Sequence, residues 1–63
     1  MITRESVWEK LQLKLSEDGR TQYDFSKDKL EKFQEIEILK EFESEGLIRK
    51  IKGALAFALY QVY

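Results

Sequence analysis

The segment GALAFALYQVY, residues 53–63, contains no charged residue, although 37% of the residues in this chain are charged. Successive side chains of a β-strand point to opposite faces, and both faces of this segment are apolar when it is read as a strand. A strand of that kind is normally covered on both sides. We therefore predict that residues 54–63 form a strand with a helix on one face and a second body on the other.

The length of the chain favours another copy of the same protein as that second body. Residues 1–63 make one domain, and its core is near the lower size limit for independent stability. No Cys is present to form a disulfide, so association is one of the few remaining ways to add buried apolar surface. We expect a homo-oligomer, most simply a dimer. The residues predicted to form the contact are Leu55, Phe57, Leu59, Tyr60, Val62 and Tyr63.

In the preceding segment LIRKIK, residues 47–52, basic residues interleave with Ile48 and Ile51. A short run of this kind followed by a glycine is typical of a hairpin strand and its turn. We predict a hairpin that turns near Lys52-Gly53, with a basic first strand that carries Arg49, Lys50 and Lys52.

The segment SKDKLEKFQEIEILKEFESEG, residues 26–46, predicts a helix over residues 27–45. Ser26 is a residue type that caps helix starts, and Gly46 is a residue type that ends helices in the left-handed conformation. The apolar side chains recur every three positions, so they wind around the helix and do not form one stripe. No Gly or Pro interrupts the segment, which favours one helix with two neighbours. The series is Leu30, Phe33, Ile36, Leu39 and Phe42.

The segment WEKLQLKLSEDGRTQYDFS, residues 8–26, has two interpretations. As a hairpin, Leu11, Leu13 and Leu15 alternate in the first strand, and a loop at Glu17–Gly19 turns the chain. As a helix, residues 7–16 follow a cap at Thr3, and Gly19 ends the element. We favour the hairpin because only that interpretation uses Leu13. The predicted fold is then α+β: two hairpins in the order ββαββ form a small antiparallel sheet on one long helix, residues 27–45.

Three glutamates four residues apart form an acidic ridge on the predicted helix: Glu37, Glu41 and Glu45. Like charges at this spacing repel each other, and the C-terminal end of a helix disfavours anions. The ridge could therefore bind a basic protein partner. Alternatively, cations of the same domain such as Arg49 and Lys50 could neutralise it, and we favour this structural interpretation.

The residue types argue against catalysis. The chain has no His and no Cys, which are the usual general base and the usual thiol nucleophile. No calcium-binding loop pattern is present, and we expect neither a metal nor a cofactor. The first residues contain no apolar signal-peptide region, and the apolar end is too short to span a membrane. We expect a non-enzymatic, cytoplasmic interaction or regulatory protein that does not bind membranes.

The segment ILKEFESEGLIRKIKG, residues 38–53, followed by an apolar strand, resembles the recognition-helix end and wing of winged-helix proteins. The resemblance covers about the C-terminal third of the chain. It implies a DNA-binding regulator in which residues 47–63 form the wing and Arg49, Lys50 and Lys52 contact nucleic acid. The acidic ridge departs from that pattern because phosphates would repel it. The net charge of −1 also provides no long-range attraction to nucleic acid.

Overall fold

The structure, a computed structural model, describes residues 2–63, which form two helices and three strands. The strands make one antiparallel sheet in the order β1-β3-β2. This result confirms the predicted α+β class and the small antiparallel sheet, but the element order is αβαββ and not ββαββ. In chain order the elements are α1 (Arg4–Leu13), β1 (Arg20–Asp24), α2 (Lys29–Ser44), β2 (Ile48–Gly53) and β3 (Phe57–Val62).

The predicted first hairpin is wrong, because its first strand belongs to helix α1. The Thr3 hydroxyl accepts a hydrogen bond from the Ser6 amide at 3.0 Å, and the Ser6 hydroxyl accepts one from the Thr3 amide at 3.0 Å. These reciprocal bonds satisfy amides that a helix start leaves unpaired. Val7 and Leu11 lie four residues apart and are buried, whereas Leu13 is 81% exposed. Local capping and helical spacing therefore prevail over the alternation of leucines.

Strand β1 pairs with β3 and not with residues 11–15. Tyr23 lies opposite Ala58 in this register. The loop before β1 is held against the end of β3, since the Val62 amide donates to the Gly19 carbonyl at 2.7 Å. Gly19 has φ +83°, and a Cβ there would lie 2.9 Å from the Val62 carbonyl oxygen. Both the conformation and the close approach require glycine at this position.

Helix α2 lies unbroken within the predicted 27–45 but is three residues shorter. The sheet does not pack on one long helix alone, as predicted, because α1 also packs against it. Asp28, rather than Ser26, caps the start of α2 by accepting from the Glu31 amide at 3.0 Å. Helix α2 ends at a glycine, as predicted. Gly46 has φ +79°, and the Leu47 amide donates to the Phe42 carbonyl at 3.0 Å. This is the hydrogen-bond pattern of a Schellman motif.

The second hairpin is present, but its turn follows Gly53, whereas the prediction placed it at Lys52-Gly53. Residues 54–56 connect β2 to β3, and the Ala54 amide donates to the Phe57 carbonyl at 2.9 Å. The predicted strand 54–63 therefore shortens to Phe57–Val62. A bulge between Lys50 and Lys52 shifts the register of β2 on β3.

The core lies between the two helices and one face of the sheet. Strand β3 is central and contributes Ala58 and Tyr60 to it. Within residues 2–63 no helix covers the opposite face, where Phe57 and Leu59 are half-buried. The helices therefore cover one face of β3, whereas the sequence predicts that both faces are covered. The other buried apolar residues of the core are Val7, Leu11, Tyr23, Leu39, Phe42 and Ile48.

A buried carboxylate joins the helices to β1. Glu35 of α2 is 0% exposed. It accepts hydrogen bonds from the Tyr23 hydroxyl, from the Ser26 amide at 2.8 Å and from the Lys10 ammonium at 3.0 Å. Burial, together with the bond to Glu35, raises the pKa of Tyr23. The Lys10 side chain is 41% exposed, so this ion pair is buried at its carboxylate end only. Leaving a buried acceptor such as Glu35 without one of its donors costs about 1–3 kcal/mol.

Alanine substitutions in α1 distinguish the helix from the predicted strand. Leu11→Ala should lower the free energy of unfolding by about 2–5 kcal/mol, because it opens a cavity in the core. Leu13→Ala should change it by no more than about 0.5 kcal/mol, because that side chain is in solvent. Urea denaturation followed by circular dichroism measures both. Equal losses for the two variants would favour the hairpin, in which both leucines share one face.

Candidate interaction surfaces

The six residues predicted for self-association do not lie on one surface. Tyr60 is in the core, and burial raises its pKa to about 12. Val62 is half-buried and packs against the core. Leu55 is 88% exposed in the hairpin turn, and Tyr63 is exposed beyond β3. These four side chains therefore differ in accessibility, and Tyr60 is not available to a partner.

The remaining two predicted residues, Phe57 and Leu59, lie on the outer face of the sheet. The register of β3 places them on the opposite side from Ala58 and Tyr60. Their neighbours on the flanking strands are polar or charged, since Leu59 lies opposite Gln22 and Lys52. The outer face is thus a mixed surface and not the apolar one that the sequence predicts.

The predicted nucleic-acid contacts lie on the basic second hairpin. Arg49, Lys50 and Lys52 are all exposed. Gln61 of β3 lies opposite both Arg49 and Arg20, so two arginines flank one glutamine across the sheet. A depression of about 260 Å³ is lined here by Arg20, Arg49, Lys50, Ile51 and Gln61. All acidic residues of the chain occur at or before Glu45, so the hairpin itself contains only positive charges.

Two of the three glutamates of the acidic ridge are bound within the domain, but by a cation other than those predicted. Arg4 of α1 donates to Glu41 at 2.6 Å and to Glu45 at 2.8 Å, and its guanidinium lies 4.7 Å from the centre of the Phe42 ring. The bond to Arg4 holds the pKa of the Glu45 carboxyl below its ordinary value of 4.5. Arg49 and Lys50 form no salt bridge to the ridge within residues 2–63.

A further surface, whose residues are not among the predicted sites, lies on the exposed side of α2. We call it the α2 surface and define it by Lys29, Leu30, Phe33, Ile36 and Glu37. Leu30 is 75% exposed and Phe33 is 66% exposed, whereas Ile36 is half-buried. The sequence indicated this surface through the three-residue spacing of its apolar residues. Because a helix has 3.6 residues per turn, such a series winds around it and some members must leave the buried side.

Phe33 separates two grooves on the α2 surface. A groove of about 440 Å³ is lined by Lys29, Lys32, Phe33 and Ile36. The groove on its other side, about 340 Å³, is lined by Ile2, Phe33, Gln34, Glu37 and Ile38. The hairpin turn adjoins the first groove, since the Lys32 ammonium donates to the Leu55 carbonyl at 2.6 Å. Leu55 is therefore a further exposed apolar residue near this groove, with Lys29 and Lys32 lining the surface between them.

Other types of site have less support in the geometry. Among residues 2–63, no group of three or more carboxylates is arranged to hold a metal ion, and no helix is both long enough and apolar enough to cross a membrane. Comparison with protein-family models, with curated proteins and with solved structures finds no match for this chain. The functional argument therefore depends on the surfaces described above.

The Arg4 contact should make stability depend on pH. A carboxyl whose pKa is lowered by folding stabilises the fold above its ordinary pKa, and this stabilisation is lost as pH falls through the folded value. Arg4→Gln should therefore destabilise the protein at neutral pH, and the difference from the natural chain should shrink as pH falls below 4.5, the ordinary value for Glu45. Thermal unfolding at a series of pH values measures the difference.

Arg49→Gln is the matched control, because Arg49 has no carboxylate partner among the described residues. The difference in thermal stability between Arg49→Gln and the natural chain should not change with pH as a carboxyl group titrates. A pH-independent effect of Arg4→Gln would mean that Arg4 acts through packing on Phe42 and not through its ion pairs.

Proposed function

We propose that this protein acts by binding proteins, without catalysing a reaction, and that it associates with copies of itself. The observation that carries the proposal is the exposure of large apolar side chains close together: Leu30 and Phe33 on α2, with Leu55 in the adjoining turn. Contiguous apolar surface that is rimmed by polar groups is typical of interaction sites. Lys29 and Lys32 supply such a rim.

The size of the domain makes association favourable. A chain of this length buries a smaller fraction of its apolar surface than a larger domain does. Covering a Leu or Phe side chain is worth about 1.5–3 kcal/mol. Burial of Leu30, Phe33 and Leu55 in a contact would thus add appreciably to the stabilising free energy that the core supplies.

The deepest carboxylate supports a structural and not a catalytic role. Glu35 receives hydrogen bonds from three groups, those of Tyr23, Ser26 and Lys10, and neither of its oxygens is left without a donor. The α2 surface offers apolar side chains and separate charges, which suit recognition of another protein.

Self-association is tested by measuring mass against concentration. We expect light scattering after size exclusion to show a mass that rises from that of a monomer toward that of a dimer. The midpoint should lie in the micromolar range or above, because the exposed apolar area is small compared with that of a stable interface. A monomer mass at every concentration, with no binding of a dye that reports exposed apolar surface, would contradict the proposal.

A second candidate function is binding of nucleic acid, and the observation that favours it is the basic hairpin. Its three cations are exposed, and Arg20 adds a fourth at the depression on the outer face of the sheet. Phosphate groups would be attracted to such a cluster. This candidate corresponds to the winged-helix resemblance, in which residues 47–63 are the wing.

The second candidate predicts DNA binding that weakens steeply with salt, because phosphate contacts release counterions. Lys50→Glu/Lys52→Glu should abolish it while leaving self-association intact. Lys27→Glu/Lys40→Glu changes the net charge equally but lies outside the hairpin, so it should have the smaller effect. Fluorescence anisotropy with labelled duplex DNA measures binding. Absence of binding at low salt, or equal losses for the two double variants, would rule out recognition by the hairpin.

A further inference from the structure

The charges of this protein are divided unequally between the helices and the sheet. Nine of the twelve acidic residues lie in the two helices or at their caps, on the side of the sheet that carries the core. The three strands and the connection from α1 to β1 hold five cations and three carboxylates, a net charge of +2. The cations are Lys14, Arg20, Arg49, Lys50 and Lys52, and the carboxylates are Glu17, Asp18 and Asp24.

On the outer face of the sheet, cations flank apolar side chains. Arg20 and Arg49 lie on the two edge strands, each opposite Gln61 of the central strand. Their Cα atoms are about 10 Å apart, because neighbouring strands lie about 4.8 Å from each other. Phe57 and Leu59 follow along β3 on the same face and are half-buried, so each keeps part of its surface open. The centre of this face is therefore apolar and its sides are basic.

Most cations of this face are available to a ligand. Asp24 is bound by Lys14, so this carboxylate and its cation neutralise each other. Asp18 lies 3.7 Å from the Arg20 guanidinium and offsets part of its charge. The cations of the second hairpin have no salt bridge within residues 2–63, and they are Arg49, Lys50 and Lys52. The excess positive charge of the sheet is therefore concentrated on β2.

We propose that the outer face of the sheet binds a single strand of nucleic acid, with phosphates at Arg20 and Arg49 and a base against Phe57. The inference rests on the nucleic-acid binding that is the second candidate function, and it names the surface and the form of nucleic acid. Proteins that bind single strands combine basic groups that follow the backbone with aromatic side chains on which bases stack. A second copy of this chain would bring the same positive charge to this face, so it suits the face less well than a polyanion does.

The position of the charges favours a single strand over a duplex. The tip of the second hairpin, which a wing would bring closest to duplex DNA, consists of residues 54–56 and carries no charge. A duplex keeps its bases stacked inside and offers phosphates at its surface, so it has no partner for Phe57 and Leu59. The unstacked bases of a single strand can be placed on such side chains. The apolar centre of the face is therefore used only by a single strand.

Fluorescence anisotropy with a labelled oligothymidylate of about ten nucleotides tests the inference. The natural chain should bind this single strand more tightly than a duplex of the same length. Phe57→Leu keeps an apolar side chain but removes the aromatic ring, and it should weaken binding of the single strand about tenfold. Phe33→Leu is the matched control, because it removes an exposed aromatic ring from α2, away from the outer face. It should have no effect.

Substitutions of charged residues test the phosphate contacts. Arg49→Gln should weaken binding and should reduce the slope of log affinity against log salt by about 0.7, because one phosphate contact is lost. Lys40→Gln changes the net charge equally on exposed α2 and should leave the slope unchanged. Asp18→Asn removes the carboxylate beside Arg20 while keeping an acceptor oxygen, so it should strengthen binding. Equal changes for Arg49→Gln and Lys40→Gln would overturn the inference.

The outcomes separate this inference from the second candidate function. If neither the single strand nor the duplex binds at low salt, nucleic-acid binding itself is wrong. If the duplex binds as tightly as the single strand, or if Phe57→Leu binds as the natural chain does, the arrangement on the outer face is wrong and binding by the hairpin stands. Competition by polyglutamate that equals competition by unlabelled oligothymidylate would also overturn the inference, because the face would then recognise negative charge alone.

Discussion

The buried carboxylate of Glu35 is the constraint that the rest of the arrangement depends on. A charge removed from water must be hydrogen-bonded and paired, and the donors here come from α1, from β1 and from the loop that leads into α2. Forming these three hydrogen bonds to Glu35 determines how α2 is rotated on the sheet. With Glu35, Leu39 and Phe42 turned inward, Phe33 and Glu37 have to face outward. The exposed apolar surface therefore follows from the polar contact at the centre of the protein.

Most of the second half of the fold could be predicted from local chemistry. Gly46 ends α2 with hydrogen bonds that depend only on neighbouring residues, and the second hairpin follows from the β-branched and aromatic residues of β2 and β3. The first half could not be predicted in the same way. Leu11, Leu13 and Leu15 alternate as a strand would, and the deciding interactions were the reciprocal bonds between Thr3 and Ser6 together with the burial of Val7 and Leu11.

The candidate surfaces were harder to predict because they depend on contacts between distant residues. The acidic ridge was visible in the sequence, but its neutraliser, Arg4, lies in a different helix about forty positions away. Phe57 and Tyr60 are both aromatic residues of β3, and only the register of the strand assigns Tyr60 to the core and Phe57 to the outer face. The three-residue spacing in α2 did indicate two environments. It did not indicate that one of them is solvent.

The central position of β3 in the sheet also affects how the chain reaches its folded state. Strands β1 and β2 precede it in the chain and do not pair with each other, so neither has a hydrogen-bonded neighbour until β3 arrives. During synthesis, α1 and α2 can form from local contacts, whereas the sheet has to wait for residues 57–62 to leave the ribosome. Joining β1 to β3 closes a loop of more than thirty residues, which slows folding. Over that interval the apolar sides of both helices are open to chaperones and to other nascent chains.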